Sequence, residues 1–164
     1  MTDKKSKDIL HILLVEDDDA HAELVMRSFE KHRVPNQVTH LSDGQAALDY
    51  LFFRGEFEDQ NIELPHIVLL DLRLPKVDGL EVLRQIKTDR ELSKLPVIIL
   101  TTSAADKDAA MAYQYRANSY LVKPMDYEEF KAMLDNVGYY WMTLNQDPWD
   151  TNTQGPQLKI VDKN

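Results

Sequence analysis

The sequence predicts an alternating α/β domain built around a parallel sheet, on three observations. Short apolar runs rich in Val, Ile and Leu alternate with longer segments whose apolar residues recur at helical spacing. Three of the runs, at residues 12–15, 67–70 and 97–100, are apolar throughout, as strands covered on both faces are. Turn and capping residues, among them Asp43-Gly44, Pro65, Asp78-Gly79 and Pro96, fall between the segments.

Five βα units follow, with strands expected at residues 12–15, 37–41, 67–70, 97–100 and 119–122. The first helix comes after Asp17-Asp18-Asp19, because aspartates cap orphan N–H groups and suit the positive end of the helix dipole. Leu24, Val25, Ser28 and Phe29 supply its buried stripe. Asp43-Gly44 opens a second helix carrying Ala46, Ala47, Leu48, Leu51 and Phe52, and Leu80, Val82, Leu83 and Ile86 mark a third. The fourth spans about residues 105–115. The fifth follows Pro124, with Asp126 as N-cap and Glu129 three residues later as a capping box. Phe130, Met133, Leu134, Val137, Trp141 and Leu144 share one face, so this helix is expected to continue past Gly138. The loop at residues 54–65 is long enough to be a candidate partner-contact element.

The chain of 164 residues fits one compact domain, since single cores run from about 50 to 250 residues. Residues 1–9 form a polar N-terminal segment, 10–144 the domain, and 145–164 a polar tail carrying Pro148, Gly155 and Pro156. A formal charge of -9 and the lack of a Lys/Arg run argue against nucleic-acid binding, which needs a basic surface. With no cysteine, disulfides, thiolate zinc sites and cysteine nucleophiles are excluded. The polar start is followed only by a short apolar run, so no membrane span or signal core is expected and the location should be cytoplasmic.

Three carboxylates stand at predicted strand ends: Glu16 and Asp17 after Val15, and Asp71 after Leu70. Ligand sites of open parallel sheets lie there. Neighbouring strands would bring the carboxylates into one crevice, where their repulsion calls for a cation or a proton. Oxygen donors suit Mg²⁺ better than zinc, which recruits histidine, and His11, His21, His32, His40 and His66 show no ligand spacing. These histidines are expected to be surface or strand-end residues. Thr101 and Lys123 close the last two strands, and both suit phosphate oxygens. Together with Mg²⁺ they would stabilise a phosphoryl group transferring to a carboxylate nucleophile, for which Asp71 is best placed.

At these residues the sequence resembles the response-regulator receiver family. The matching pieces are Leu13-Leu14-Val15-Glu16-Asp17-Asp18, Leu69-Leu70-Asp71-Leu72-Arg73-Leu74-Pro75 with Asp78-Gly79, Ile99-Leu100-Thr101-Thr102, and Tyr120-Leu121-Val122-Lys123-Pro124. Each is weak alone, but four in order at strand ends are specific. The resemblance implies a flavodoxin-like, doubly wound five-stranded sheet of order 2-1-3-4-5 with helices on both faces. It implies Mg²⁺ bound by Glu16, Asp17, Asp71 and the backbone carbonyl of Arg73, and a phosphoryl group accepted on Asp71 from a sensor histidine kinase. Lys123 would pair with the phosphoryl oxygens, and Thr101 with Tyr120 would form the switch pair. Within the family the chain looks most like single-domain regulators partnered with phytochromes, which act without a DNA-binding output domain. Glu16 stands where many relatives have Asp. Thr102 stands where a smaller residue is common, and is expected to narrow access to Asp71.

Each residue also has a plainer reading. Glu16, Asp17 and Asp18 taken separately are helix caps, Asp71 a turn former, Lys123 a solvated strand-end charge and Thr101 a β-former. Tyr120 is equally an ordinary strand aromatic with a wet hydroxyl. Only the constellation favours phosphoryl chemistry. Competing functions are a phosphatase acting on free phosphate esters and a docking module that is never phosphorylated. Turnover of a small ester identifies the first, and absence of labelling by acetyl phosphate the second. The apolar face of the final helix, with Val137, Tyr140, Trp141 and Leu144, is expected to build a homodimer.

Overall fold

The computed structural model describes residues 9–145. The strands are Leu10–Val15 (β1), Asn36–Leu41 (β2), Ile67–Leu70 (β3), Val97–Thr101 (β4) and Ser119–Val122 (β5). The helices are Asp19–Glu30 (α1), Gly44–Leu51 (α2), Gly79–Thr88 (α3), Asp106–Gln114 (α4) and Tyr127–Tyr139 (α5). All strands pair in parallel in the order β2-β1-β3-β4-β5, the flavodoxin-like arrangement. β1, β3 and β4 lie inside the sheet, which is why the three apolar runs belong to them, whereas the edge strands β2 and β5 are half-buried.

Alternation along each strand divides the core into two layers. Leu13, Val15, Val68, Leu70, Val97 and Ile99 face α2, α3 and α4, burying Ala47, Leu48, Leu51, Val82, Leu83, Ile86 and Ala112. Ile12, Leu14, Ile67, Leu69, Ile98 and Leu100 face α1 and α5, burying Ala22, Val25, Phe29, Phe130 and Leu134.

The expected N-caps form through their aspartate side chains, the Asp126–Glu129 pair supplying the first half of a capping box. Asp18 accepts from the His21 amide at 3.0 Å, Asp43 from that of Ala46 at 2.7 Å, and Asp126 from that of Glu129 at 2.9 Å. Two stripes differ from expectation. In α1 the buried positions are Ala22, Val25 and Phe29, with Leu24 and Ser28 only half-buried, because the face toward the sheet is centred on the 22/25/29 row and leaves Leu24 and Ser28 at its flank. Past Tyr139 the chain widens into a π-helical turn, Tyr140–Leu144, closed by the Asn145 amide on the Tyr140 carbonyl at 2.8 Å. The wider turn keeps Trp141 and Met142 against the α1/α5 core and leaves Leu144 facing solvent, although helical spacing places it on the same stripe. Gly138 lets α5 sit close to α1, since a Cβ there would lie 3.3 Å from the Phe29 ring.

Residues 54–65 contain a single 3₁₀ turn, Gly55–Phe57, with Phe57 packed edge-on to Tyr50 at 5.2 Å. Residues 1–8 of the predicted N-terminal segment and 146–164 of the predicted tail lie outside the described residues.

Candidate functional site

The crevice at the C-terminal end of the sheet is assembled by ladder bonds that run one residue past the strands. The Glu16 amide donates to the Leu41 carbonyl at 3.0 Å, the Asp71 amide to Val15 at 3.0 Å, and the Lys123 amide to Thr101 at 2.7 Å. Glu16, Asp71 and Lys123 are therefore held at the sheet's end with the rigidity of strand residues, and all three are buried. Gly79 is required here by close approach. A Cβ on it would come within 2.1 Å of the Asp71 carbonyl oxygen and 2.6 Å of the Leu72 Cα, both backbone atoms that cannot swing aside.

One carboxylate oxygen from each of Glu16, Asp17 and Asp71 lies within 4.8 Å of the others. Glu16 and Asp71 are buried and Asp17 is exposed, so the cluster opens to solvent on the Asp17 side. The Asp71 Oδ1 accepts from the amides of Leu72 at 2.7 Å and Arg73 at 3.4 Å, leaving Oδ2 toward the Lys123 ammonium at 3.2 Å. That ammonium also donates to Glu16 Oε2 at 2.5 Å. The second Glu16 oxygen accepts from the Asp18 amide at 3.1 Å. Burial pushes the Glu16 carboxyl up to about 7 despite the opposing hydrogen bond and charge of Lys123, with Asp71 adding to the rise. Three carboxylates against one ammonium leave an excess of negative charge, all of it on oxygen donors. This donor set fits a hard divalent cation such as Mg²⁺.

Thr101 is fully buried as the last residue of β4, one position further into the strand than expected, and its Oγ1 accepts from the Ser103 amide at 3.3 Å. Thr102 is exposed beside it. Tyr120 is half-buried against the α2–α4 layer. Its hydroxyl donates to the Ser103 carbonyl at 2.9 Å, so the plainer reading of a wet hydroxyl does not hold. Burial raises the phenol above its ordinary range, with the bond to Ser103 opposing. The Arg73 guanidinium pairs with Asp108 of α4 at 2.6 Å.

Sequence reading missed several residues here. His21 of α1, expected to be a surface residue, places Nδ1 3.1 Å from the Lys123 ammonium and stacks edge-on against Phe130. With the ring proton on Nε2, Nδ1 accepts from that ammonium. His40 of β2 bonds the Glu16 carbonyl through Nε2 at 2.8 Å. Ser103 and Asp108 were also unremarked. Ser103 follows Thr101 and Thr102, and Asp108 follows Asp106 and Lys107, so each is one polar residue among several and no local signal distinguishes it.

A family model described as the response regulator receiver domain matches residues 12–135. The chain is 47% identical over 144 residues to the probable methanogenesis regulatory protein FilR2 of Methanothrix harundinacea, covering 88% of this chain and 91% of that relative. It is 37% identical over 131 residues to the response regulator Rcp1 of Synechocystis sp., covering 80% and 88% respectively. Among solved structures, the Mn²⁺-bound form of Rcp1 superposes with a TM-score of 0.82 at 36% identity, over 85% of this chain and 99% of that one. The phosphorylated cyanobacterial phytochrome response regulator RcpA superposes with a TM-score of 0.81 at 34% identity, over 85% and 98%. This chain thus belongs to the response regulator receiver domain family of two-component systems.

Proposed function

We propose that the protein is a phosphorylation switch that accepts a phosphoryl group on Asp71 from the phosphohistidine of a sensor kinase. The observation that carries this reading is the meeting of Glu16, Asp17 and Asp71 within 4.8 Å, with Lys123 bridging Glu16 and Asp71. An Asp71 carboxylate oxygen attacks phosphorus, the phosphorus–nitrogen bond breaks, and the electron pair leaves with the imidazole. Glu16, Asp17, Asp71 and the Arg73 carbonyl would hold Mg²⁺, which supplies positive charge to the phosphoryl oxygens. The Mn²⁺ bound in the structure of Rcp1, 36% identical to this chain, supports binding of a divalent ion. Lys123, already directed at Asp71, pairs with an incoming phosphoryl oxygen, and its shift weakens the bond to Glu16. Thr101 and Tyr120 act as the switch pair, passing the change to the face formed by α4, β5 and α5, where Tyr113, Val122 and Tyr127 are exposed. Apart from its own phosphoryl transfer and autodephosphorylation, the protein needs no further activity.

The test is Mg²⁺-dependent labelling by acetyl phosphate, mapped by mass spectrometry, with Asp71→Asn alongside. Labelling of the wild type alone is expected. Equal labelling of the variant sinks the assignment.

The kinase partner is proposed to be a phytochrome, supported by the likeness to RcpA, and the location cytoplasmic, with no described helix long and apolar enough to cross a membrane. A homodimer is proposed at the outer side of the last turn. Val137 and Trp141 pack on their own core, so the candidate contacts are Tyr140 and Leu144, 49% and 55% exposed. Light scattering should give a dimer that Leu144→Glu dissociates, whereas Trp141→Glu should lower the melting temperature. A monomeric wild type would remove the dimer.

A further inference from the structure

Among the described residues one more carboxylate is buried, that of Asp108 on α4. Its Oδ2 accepts from Arg73 Nη2 at 2.6 Å and from Ser103 Oγ at 2.6 Å. The Ser103 carbonyl accepts from the Tyr120 hydroxyl at 2.9 Å, and the Ser103 amide donates to Thr101 Oγ1 at 3.3 Å. A continuous chain of hydrogen bonds thus runs from a guanidinium two positions beyond Asp71 to both Tyr120 and Thr101.

The two ends of the ion pair differ in a way that matters. The Asp108 side chain is 9% exposed and fixed, whereas that of Arg73 is 62% exposed and could be solvated elsewhere at little cost. The Arg73 amide lies 3.4 Å from Asp71 Oδ1, so this side chain begins at the phosphoacceptor and is drawn off toward α4. A phosphoryl group on Asp71 would carry close to two negative charges in place of the carboxylate's one, a net gain of about one charge at the root of this side chain.

We infer that Asp108 is a positioning residue: it holds the Arg73 guanidinium at the start of α4, away from Asp71, and a phosphoryl group on Asp71 competes with it for that guanidinium. The inference rests on the proposed phosphorylation of Asp71 and names a device that regulates it. When Arg73 leaves, the Asp108 oxygen is left to Ser103, and the connection between β4 and α4 that bonds the Tyr120 hydroxyl loses its tie to the β3–α3 loop.

Asp108→Asn removes the charge and keeps an oxygen for Ser103. Freeing Arg73 places a cation beside the phosphoacceptor, so labelling by anionic acetyl phosphate at low salt should speed up about fivefold. The gain should shrink in about 1 M salt, where the screening length is about 3 Å. A purely structural perturbation has no reason to follow salt in this way. Adding Arg73→Gln to Asp108→Asn should abolish the gain, and Asp108→Glu should restore the wild-type rate. A second measurement uses the wild type alone: the Arg73 side-chain and Ser103 amide NMR resonances should shift when beryllium trifluoride loads Asp71. Wild-type labelling at Asp71 with equal rates for Asp108→Asn at both salts overturns this inference and leaves the phosphorylation reading standing. So do unmoved Arg73 and Ser103 resonances in loaded protein. Absence of wild-type labelling overturns both.

Discussion

Lysine is buried at both ends of the sheet, in opposite surroundings. At the C-terminal end Lys123 lies between two buried carboxylates, 2.5 Å from Glu16 and 3.2 Å from Asp71. At the other end Lys87 of α3 donates to the Leu95 carbonyl at 2.8 Å, the Asn118 side-chain oxygen at 3.0 Å and the Ser93 carbonyl at 3.3 Å, all neutral. Asn118 Oδ1 also takes the Val97 amide at 2.8 Å, and the Arg116 guanidinium donates to the Lys87 carbonyl, so this cage ties α3 to the starts of β4 and β5. Burial, helped by the charge of Arg116, pushes the Lys87 ammonium down to about 8. The Lys87 cage is complete and serves as a brace. The Lys123 cluster keeps surplus negative charge open to solvent, the condition for taking in a cation and a phosphoryl group.

The sharpest way to break this comparison is Lys87→Met, which keeps the apolar stem and strands the buried acceptors. It should cost about 2–4 kcal/mol in urea unfolding, while Asp71 labelling per folded molecule stays at the wild-type level. A loss of labelling without a loss of stability would reverse the roles of the two ends. The proton of Lys87 offers a second measurement. Below pH 8 both folded and unfolded states hold it; between about 8 and 10.5 the unfolded chain holds more, so stability rises with pH across that window. The wild type should gain on the order of 2 kcal/mol over Lys87→Met between those limits, allowing for residual solvation of the ammonium. A constant difference would place the titration elsewhere.

At the other end, smaller effects separate the charges. Asp17→Asn should weaken Mg²⁺ binding about tenfold by removing attraction, whereas Lys123→Ala should keep or tighten it by removing repulsion. A titration with the opposite ranking would overturn these roles. The smallest expected change is Asp18→Ala. Its carboxylate caps α1 on the His21 amide and is held below the ordinary range chiefly by that bond. The variant should melt a few degrees lower with Mg²⁺ affinity unchanged, and a clear loss of affinity would make Asp18 part of the ion site.

Element order, the N-caps Asp18, Asp43 and Asp126 and the strand-end positions of Glu16, Asp71 and Lys123 were legible because they are local. Two-residue alternation, helical spacing and a side chain reaching an amide three residues on all lie within a short window of sequence. The five-stranded parallel sheet followed from that pattern, and its order from the family resemblance carried by four short pieces at strand ends.

What tertiary structure alone decided involves residues far apart in sequence. Lys123 and Glu16 are 107 positions apart, Lys123 and His21 102, and Arg73 and Asp108 35. Periodicity shows that a polar residue sits at a strand end or on a helix, but whether His21 accepts from an ammonium or faces water depends on where α1 lands against β5. The last helix makes the same point. Its stripe predicts a dimer face that includes Trp141, whereas the π-helical turn sends Trp141 inward and Leu144 outward. One additional residue in a helical turn rotates every side chain beyond it, and that choice is made by the packing of Trp141 and Met142 on the core rather than by the spacing of apolar residues.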